Sequence, residues 1–217
     1  MRGTGGSAGR PFPVKHRTCR LRLNSVHSNR SVMVTQSKTK ALFSEENVPP
    51  GGTCLSSFVV VLEGNRALVG KMGRPEIWVE RFLVGPTRAP VYAASGKYLL
   101  PARHLHWYES PLEAARSVLK DQVGLEVPVG KISLVDVQSH VSGDINDEKE
   151  PPHWDICFLY SASVTKSVAE KLHRPEWFSE LVFKPLGSLK QNDFTRGHGD
   201  VLQTAGMLGS GHKKKRR

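Results

Sequence analysis

The sequence is short of cysteine and of long apolar runs, and each shortage removes a class of protein. Three cysteines in 217 residues, Cys19, Cys54 and Cys157, stand far apart with no C-x-x-C pair, so neither a disulfide framework nor a thiolate zinc site is encoded. The longest unbroken apolar stretch, Phe58 to Leu62, falls far short of the roughly 20 residues that a bilayer-spanning helix needs. A soluble chain with no membrane partner is therefore expected, with the reducing cytoplasm as its default compartment. G-x-S-x-G is missing too, and no cysteine has the surroundings of a nucleophile, which excludes the common serine and cysteine hydrolase patterns.

Acidic residues are absent from the first 40 positions, where nine Lys and Arg stand, and five more basic residues close the chain from Lys213 to Arg217. The net charge of +11 therefore belongs to the two ends, and the body between them carries 17 basic against 20 acidic residues. A folded domain of that balance offers no basic face for nucleic acid, so any RNA contact is expected through the tails. The expected organisation is a basic, disordered leader over 1–48, one domain over 49–208 and a basic tail over 209–217. The leader also suits an organellar transit peptide, and Met33 is an alternative start.

Pro49-Pro50-Gly51-Gly52 breaks the chain, and TCLSSFVVVLEG after it has the β-branched and aromatic content of a buried strand. Gly64-Asn65 turns it into RALVGKM as a hairpin-like pair. Residues 73–96, rich in Gly, Pro and Ala, are expected to be an irregular excursion. KYLLPARHLHWYE begins as a strand and ends in a loop. It leads into SPLEAARSVLKDQVGL, where Ser110 is a natural N-cap, Pro111 suits the first helical position, Glu113 completes a capping box and Gly124 is placed to end the helix. Leu112, Ala115, Val118, Leu119 and, at the next step of the i, i+3, i+4, i+7 pattern, Gln122 make its buried stripe. KISLVDVQSHV and WDICFLYSASV read as two strands around the acidic loop GDINDEKEPPH. The stretch SVAEKLHRPEWFSELVFKPLGSL mixes helix and loop signals, and FTRGHGDVLQTAG holds a short final helix. Together these predict an α/β protein, a mixed β-sheet between helices.

The segment from Pro101 to Leu125 resembles the Nudix box, G-x5-E-x7-R-E-U-x-E-E-x-G-U with U a bulky aliphatic residue. With the closing glycine set on Gly124, four of the nine defined positions match, at Glu109, Leu119, Gly124 and Leu125, and Asp121 keeps a carboxylate where the family has Glu. The resemblance implies a Nudix-like α/β/α sandwich and a ligand of the nucleoside diphosphate type linked to a second moiety. It implies Mg²⁺ or Mn²⁺ held by helix carboxylates, which leaves Asp121 and Glu109 as the candidate metal ligands here. The departures are chemical. Arg103 replaces the opening glycine, Ser117 and Val118 replace the Arg-Glu pair, and Gln122 replaces the next Glu. Glu113 sits roughly 12 Å along the helix from Asp121, too far to share its ion, which leaves Asp144, Asp147, Glu148 and Glu150 as outside help.

Further candidates come from side-chain chemistry alone. His104 and His106, with His140 or His153, have the residue types of a metal set, and Arg103, His104 and His106 are candidate ligand contacts. Arg103 in particular supplies positive charge where the family has a cation. Trp78, Trp107, Tyr108, Trp154, Trp177 and Phe178 are candidate stacking partners for a base. Two functions stay open on sequence: an enzyme, a Nudix-type pyrophosphohydrolase with a remodelled metal site, and a non-catalytic nucleotide- or RNA-associated binding module.

Overall fold

A computed structural model of the protein describes residues 52–142 and 153–208. The leader, the basic tail, the expected domain start at 49 and the loop acids Asp144, Asp147, Glu148 and Glu150 lie outside the described residues, and with them the expectations of RNA contact and organellar import. No described helix is long and apolar enough to cross a membrane.

The apolar run after the Pro-Gly breaker forms β1 (Thr53–Glu63), and it is the middle of the sheet. β6 (His153–Ser163) runs parallel to it along one side, while β4 (Ala102–His104) and β2 (Arg66–Met72) pair antiparallel along the other. Val59, Val60 and Val61 are fully buried because β1 is covered on both faces, which is why it reads as a continuous apolar run instead of an alternating one. Each such side chain contributes about 1.5–3 kcal/mol by leaving water. The turn into β2 takes two residues, with Gly64 at φ 58° between the facing pair Glu63 and Arg66, as the sequence predicts.

β2 continues the sheet to β3 (Tyr98–Leu99) and to β7 (Phe178–Pro185), and β6 continues it to β5 (Ile132–Ser142), giving seven strands with parallel and antiparallel pairs. Helices close both faces. On one, α5 (His198–Thr204) packs Val201 and Leu202 on Phe58, Val60, Val69 and Leu159. On the other, α3 (Pro111–Val118) packs Ala115 and Val118 on Val59, Val61 and Tyr160. This is the α/β/α arrangement with a mixed sheet expected from the sequence.

Two segments differ from expectation. The excursion over 73–96 contains two helices, α1 (Pro75–Phe82), ended by Leu83 at φ 55°, and α2 (Arg88–Ser95), ended by Gly96 at φ 61°. Their stability comes from a separate cluster, in which Trp78, Val84 and Ala89 pack on Met72, Leu99 and Phe178, so no local periodicity announces them. The mixed stretch after 166 holds α4 (Lys166–Glu170) but also the whole of β7. A bulge in β7 itself, in which Ser179 falls between the pairs Lys71–Glu180 and Met72–Phe178, interrupts the alternation that would mark it as a strand.

His198, at the start of α5, is fully buried and lies edge-on to Phe58, their ring centroids 5.0 Å apart. Its Nδ1 accepts from the Leu100 N–H at 2.8 Å, an arrangement only the neutral ring can make. Burial, and then the Arg196 charge, hold its pKa well below the ordinary 6.5. The unfolded chain takes up this proton as pH falls through 6.5 and the folded chain does not, so stability is lost on acidification. We expect the urea midpoint to fall between pH 7.5 and pH 5, and the fall to be smaller in His198→Gln.

Candidate functional site

The strand-loop-helix unit that carries the resemblance is built from β4, the turn over 105–109 and α3. Ser110 caps α3 by accepting from the Glu113 N–H, and the Glu113 carboxylate accepts from the Ser110 N–H at 2.8 Å, so Glu113 is committed to the capping box. The helix then continues into a single π-type turn, Leu119–Val123, and Gly124 ends it at φ 73°. Leu119 and Leu125 are buried in the helical face of the core. The π turn adds a residue within the last turn.

Gln122 is the side chain that turns in. It is almost fully buried, and its amide pairs with both backbone groups of Ala102 on β4, donating to the carbonyl at 2.9 Å and accepting from the N–H at 3.3 Å. Its own carbonyl accepts from Trp177 Nε1 at 3.0 Å. The position where the family carries a metal-binding Glu thus holds the helix to the sheet.

Next to Ala102, Arg103 points into a cluster of half-buried charge. Its Nη2 forms an ion pair with Glu109, the two side chains being 13% and 12% exposed. Its Nη1 lies 2.9 Å from His106 Nδ1 and 3.0 Å from Nε2. A guanidinium only donates, so the imidazole accepts and is neutral. Burial, reinforced by Arg103, holds the His106 pKa below its ordinary value. Burial likewise depresses the Arg103 pKa, opposed by Glu109 and Asp121, although a guanidinium stays protonated at any neutral pH. The remaining Glu109 oxygen accepts from the His106 N–H at 3.1 Å. Arg103 Nε is buried and has no hydrogen-bond partner among the described residues.

These groups border a cavity of about 170 Å³ lined by Arg103, His104, His106, Val118, Asp121 and Gln122 on one side and by Arg81, Phe82 and Leu83 on the other. Arg81 lies over the Trp177 ring, 4.5 Å from its centroid. The structure therefore brings Arg103, His104, His106 and Asp121 together at one opening and sets Glu109 behind Arg103. The second wall, from the end of α1, was not foreseen. Its place depends on the packing of Trp78 and Trp177 across the excursion, and no local motif carries that signal.

This chain resembles Nudix and MutT proteins of solved structure. One is a MutT/Nudix family protein from Enterococcus faecalis, 17% identical, covering 66% of this chain and 48% of its own, with a TM-score of 0.43. A second is a bifunctional NMN adenylyltransferase/ADP-ribose pyrophosphatase from Francisella tularensis, complexed with AMP and a manganese ion. It is 11% identical, covers 73% of this chain and 42% of its own, and has a TM-score of 0.45. A third is a MutT protein from Methanosarcina mazei Go1, 10% identical, covering 72% and 94% with a TM-score of 0.45. The chain thus spans about half the length of the first two. No family model matches the sequence, and no curated protein does. The chemistry that follows rests on the site's own geometry.

A divalent cation needs several oxygen ligands about one point. Here both Glu109 oxygens are engaged by Arg103 and by the His106 N–H, Glu113 is held by Ser110, and the Gln122 oxygen is on Ala102. Asp121 alone remains at the cavity, in the field of the Arg103 charge. Among the described residues no three His, Cys, Asp or Glu side chains are placed to hold an ion. His140 is on β5, bonded to Gln138 at 2.9 Å, and the side chain of His153 lies outside the described residues. Among the described residues, the donor set at this cavity does not fit Mg²⁺ or Mn²⁺. Of the candidate stacking residues, Trp78 and Phe178 are core, Trp154 is exposed on β6, and Trp107 and Tyr108 are exposed on the turn after β4.

Returning the family's acid by Gln122→Glu tests the role given to Gln122. The carboxylate cannot donate to the Ala102 carbonyl, and both oxygens would be buried against it. We expect a loss of roughly 1–3 kcal/mol in urea unfolding, with no gain in Mn²⁺ binding by calorimetry; a stable variant that takes up the ion would refute the assignment.

Proposed function

We propose that this chain is a binding module for a nucleoside diphosphate linked to another moiety, and that it grips the phosphates with arginine where Nudix hydrolases use a cation. One arrangement carries the reading: a buried guanidinium, Arg103, set by β4 at the mouth of the cavity, with a second guanidinium, Arg81, on the facing wall. A guanidinium presents donors in a planar fork, which matches phosphate oxygens two at a time; Arg81 supplies that fork, and Arg103, engaged by Glu109 and His106, supplies positive charge. Glu109 and neutral His106 hold Arg103 in place, so little order is lost when a ligand arrives. The Arg81 fork would take a phosphate, with the Arg103 charge across the cavity, and the exposed Trp107 and Tyr108 rings, on the turn that follows His106, are the candidates for stacking a base.

The second reading is a hydrolase with a remodelled metal centre, favoured by the carboxylate of Asp121 at the same cavity. The two readings demand opposite signs from one substitution. If phosphate binds directly to arginine, Asp121 repels it, and Asp121→Asn tightens ADP-ribose binding in EDTA by roughly fivefold. If a cation mediates, the same change weakens binding and abolishes turnover in Mg²⁺ or Mn²⁺. Arg103→Ala should lower affinity about tenfold or more, the worth of a charge-assisted bond. Calorimetry that finds unchanged affinity in Arg103→Ala, or turnover lost in Asp121→Ala, would displace the proposal.

A further inference from the structure

β5 is the outer strand of the sheet on the side away from β2, and among the described residues it pairs with β6 alone. From Ile132 to Ser142 it contains no Lys, Arg or Pro, the residues with which sheet edges usually oppose further pairing. A bulge between Leu134 and Asp136 is its one irregularity, and from Asp136 onward its ladder with β6 is regular. Such an edge presents backbone N–H and C=O groups in register for another strand; at Val137 the N–H is taken locally by Asp136 Oδ1 at 2.9 Å, a contact that pairing would exchange for one across the edge.

Its two faces differ. On the face turned from α5, Val137 is 50% exposed and Val141 64% exposed, and Val141 stands opposite Trp154, itself 49% exposed. On the α5 face three side chains are chained together. Gln138 Nε2 donates to Asp136 Oδ2 at 2.9 Å and also reaches the Val201 carbonyl at 3.0 Å, while His140 Nε2 donates to Gln138 Oε1 at 2.9 Å. The row therefore has a carboxylate at one end, an imidazole at the other and a neutral amide between.

We propose that β5 pairs antiparallel with β5 of a second copy about a two-fold axis at Gln138, so that one sheet runs through the dimer. Two-fold symmetry requires one residue to face its own copy, and directly opposed residues share a face. With the axis at Gln138, Asp136 stands opposite the partner's His140, and His140 opposite the partner's Asp136, so the pair forms twice. Val137 then faces the partner's Ser139, which covers an apolar side chain that water now reaches. Moving the axis one residue either way removes both Asp–His pairs, and moving it to Asp136 sets carboxylate against carboxylate. The charge pattern of the strand thus complements itself in a single register. This inference does not depend on the cavity reading, because β5 contributes no residue to that cavity.

Sedimentation velocity of the 217-residue chain over a concentration series is the test, since self-association shifts with concentration by mass action. A dimer is expected. Asp136→His sets imidazole against imidazole and His140→Asp sets carboxylate against carboxylate, so each should weaken the dimer about tenfold; the double exchange restores both pairs and should recover it. Mixing Val137→Cys with Ser139→Cys under mild oxidation should give a disulfide between copies, and Val137→Cys alone should give little. A chain that stays monomeric, a dimer indifferent to all these changes, or β5 amides protected from exchange in the monomer by the chain's own residues 1–51 would overturn the proposal.

Discussion

The buried amide of Gln122 is the interaction on which the rest of the site depends. It ties the end of α3 to β4 by pairing with both backbone groups of Ala102, and its own carbonyl takes the Trp177 indole. Three segments remote in sequence meet at this one residue: the first half of the unit, the end of the helix and the entry to β7. Buried polar groups are tolerated when they find hydrogen-bond partners, and here both the amide nitrogen and the amide oxygen do so on the backbone of Ala102. The spacing of the two walls, and so of Arg81 and Arg103, follows from this fastening.

The charges near it are arranged by the same logic. Arg103 is taken partly out of water, which is costly for a guanidinium, and it persists because Glu109 and His106 engage it. A carboxylate spent on an arginine is not available to a cation. The difference between this pocket and a cation cage therefore lies less in the number of acids than in what each acid already holds.

Much of the scaffold was legible because the signals were local. Ser110, Pro111, Glu113 and Gly124 mark both ends of the helix without reference to the rest of the chain, and Val59 to Val61 mark a strand covered on both faces. The π turn was not legible, for nothing in LKDQV distinguishes it from a last α-helical turn, but the helical spacing from Ala115 already set Gln122 on the buried stripe and Asp121 off it. α1 and β7 were missed because their order comes from each other, through Trp78, Trp177 and Phe178. At the site, residue types and neighbourhood were readable from the motif, but the commitments of Glu109 and Gln122 required coordinates. Arg81 belongs to an element no pattern announced.

The parallel pairing of β1 with β6 has a consequence for how the protein is made. Thr53 faces Trp154 and Leu62 faces Ser163, so the first strand of the sheet emerges about 100 residues before the strand that flanks it. Through that interval of synthesis, Phe58 to Leu62, a β-branched run without charge or proline, has one of its hydrogen-bonding edges open. Segments of that composition seek the edges of other chains. The nascent protein thus passes through a window in which its most firmly held strand is also its most adhesive one, and cells that make it would need to keep ribosome-bound copies apart until residue 163 has appeared.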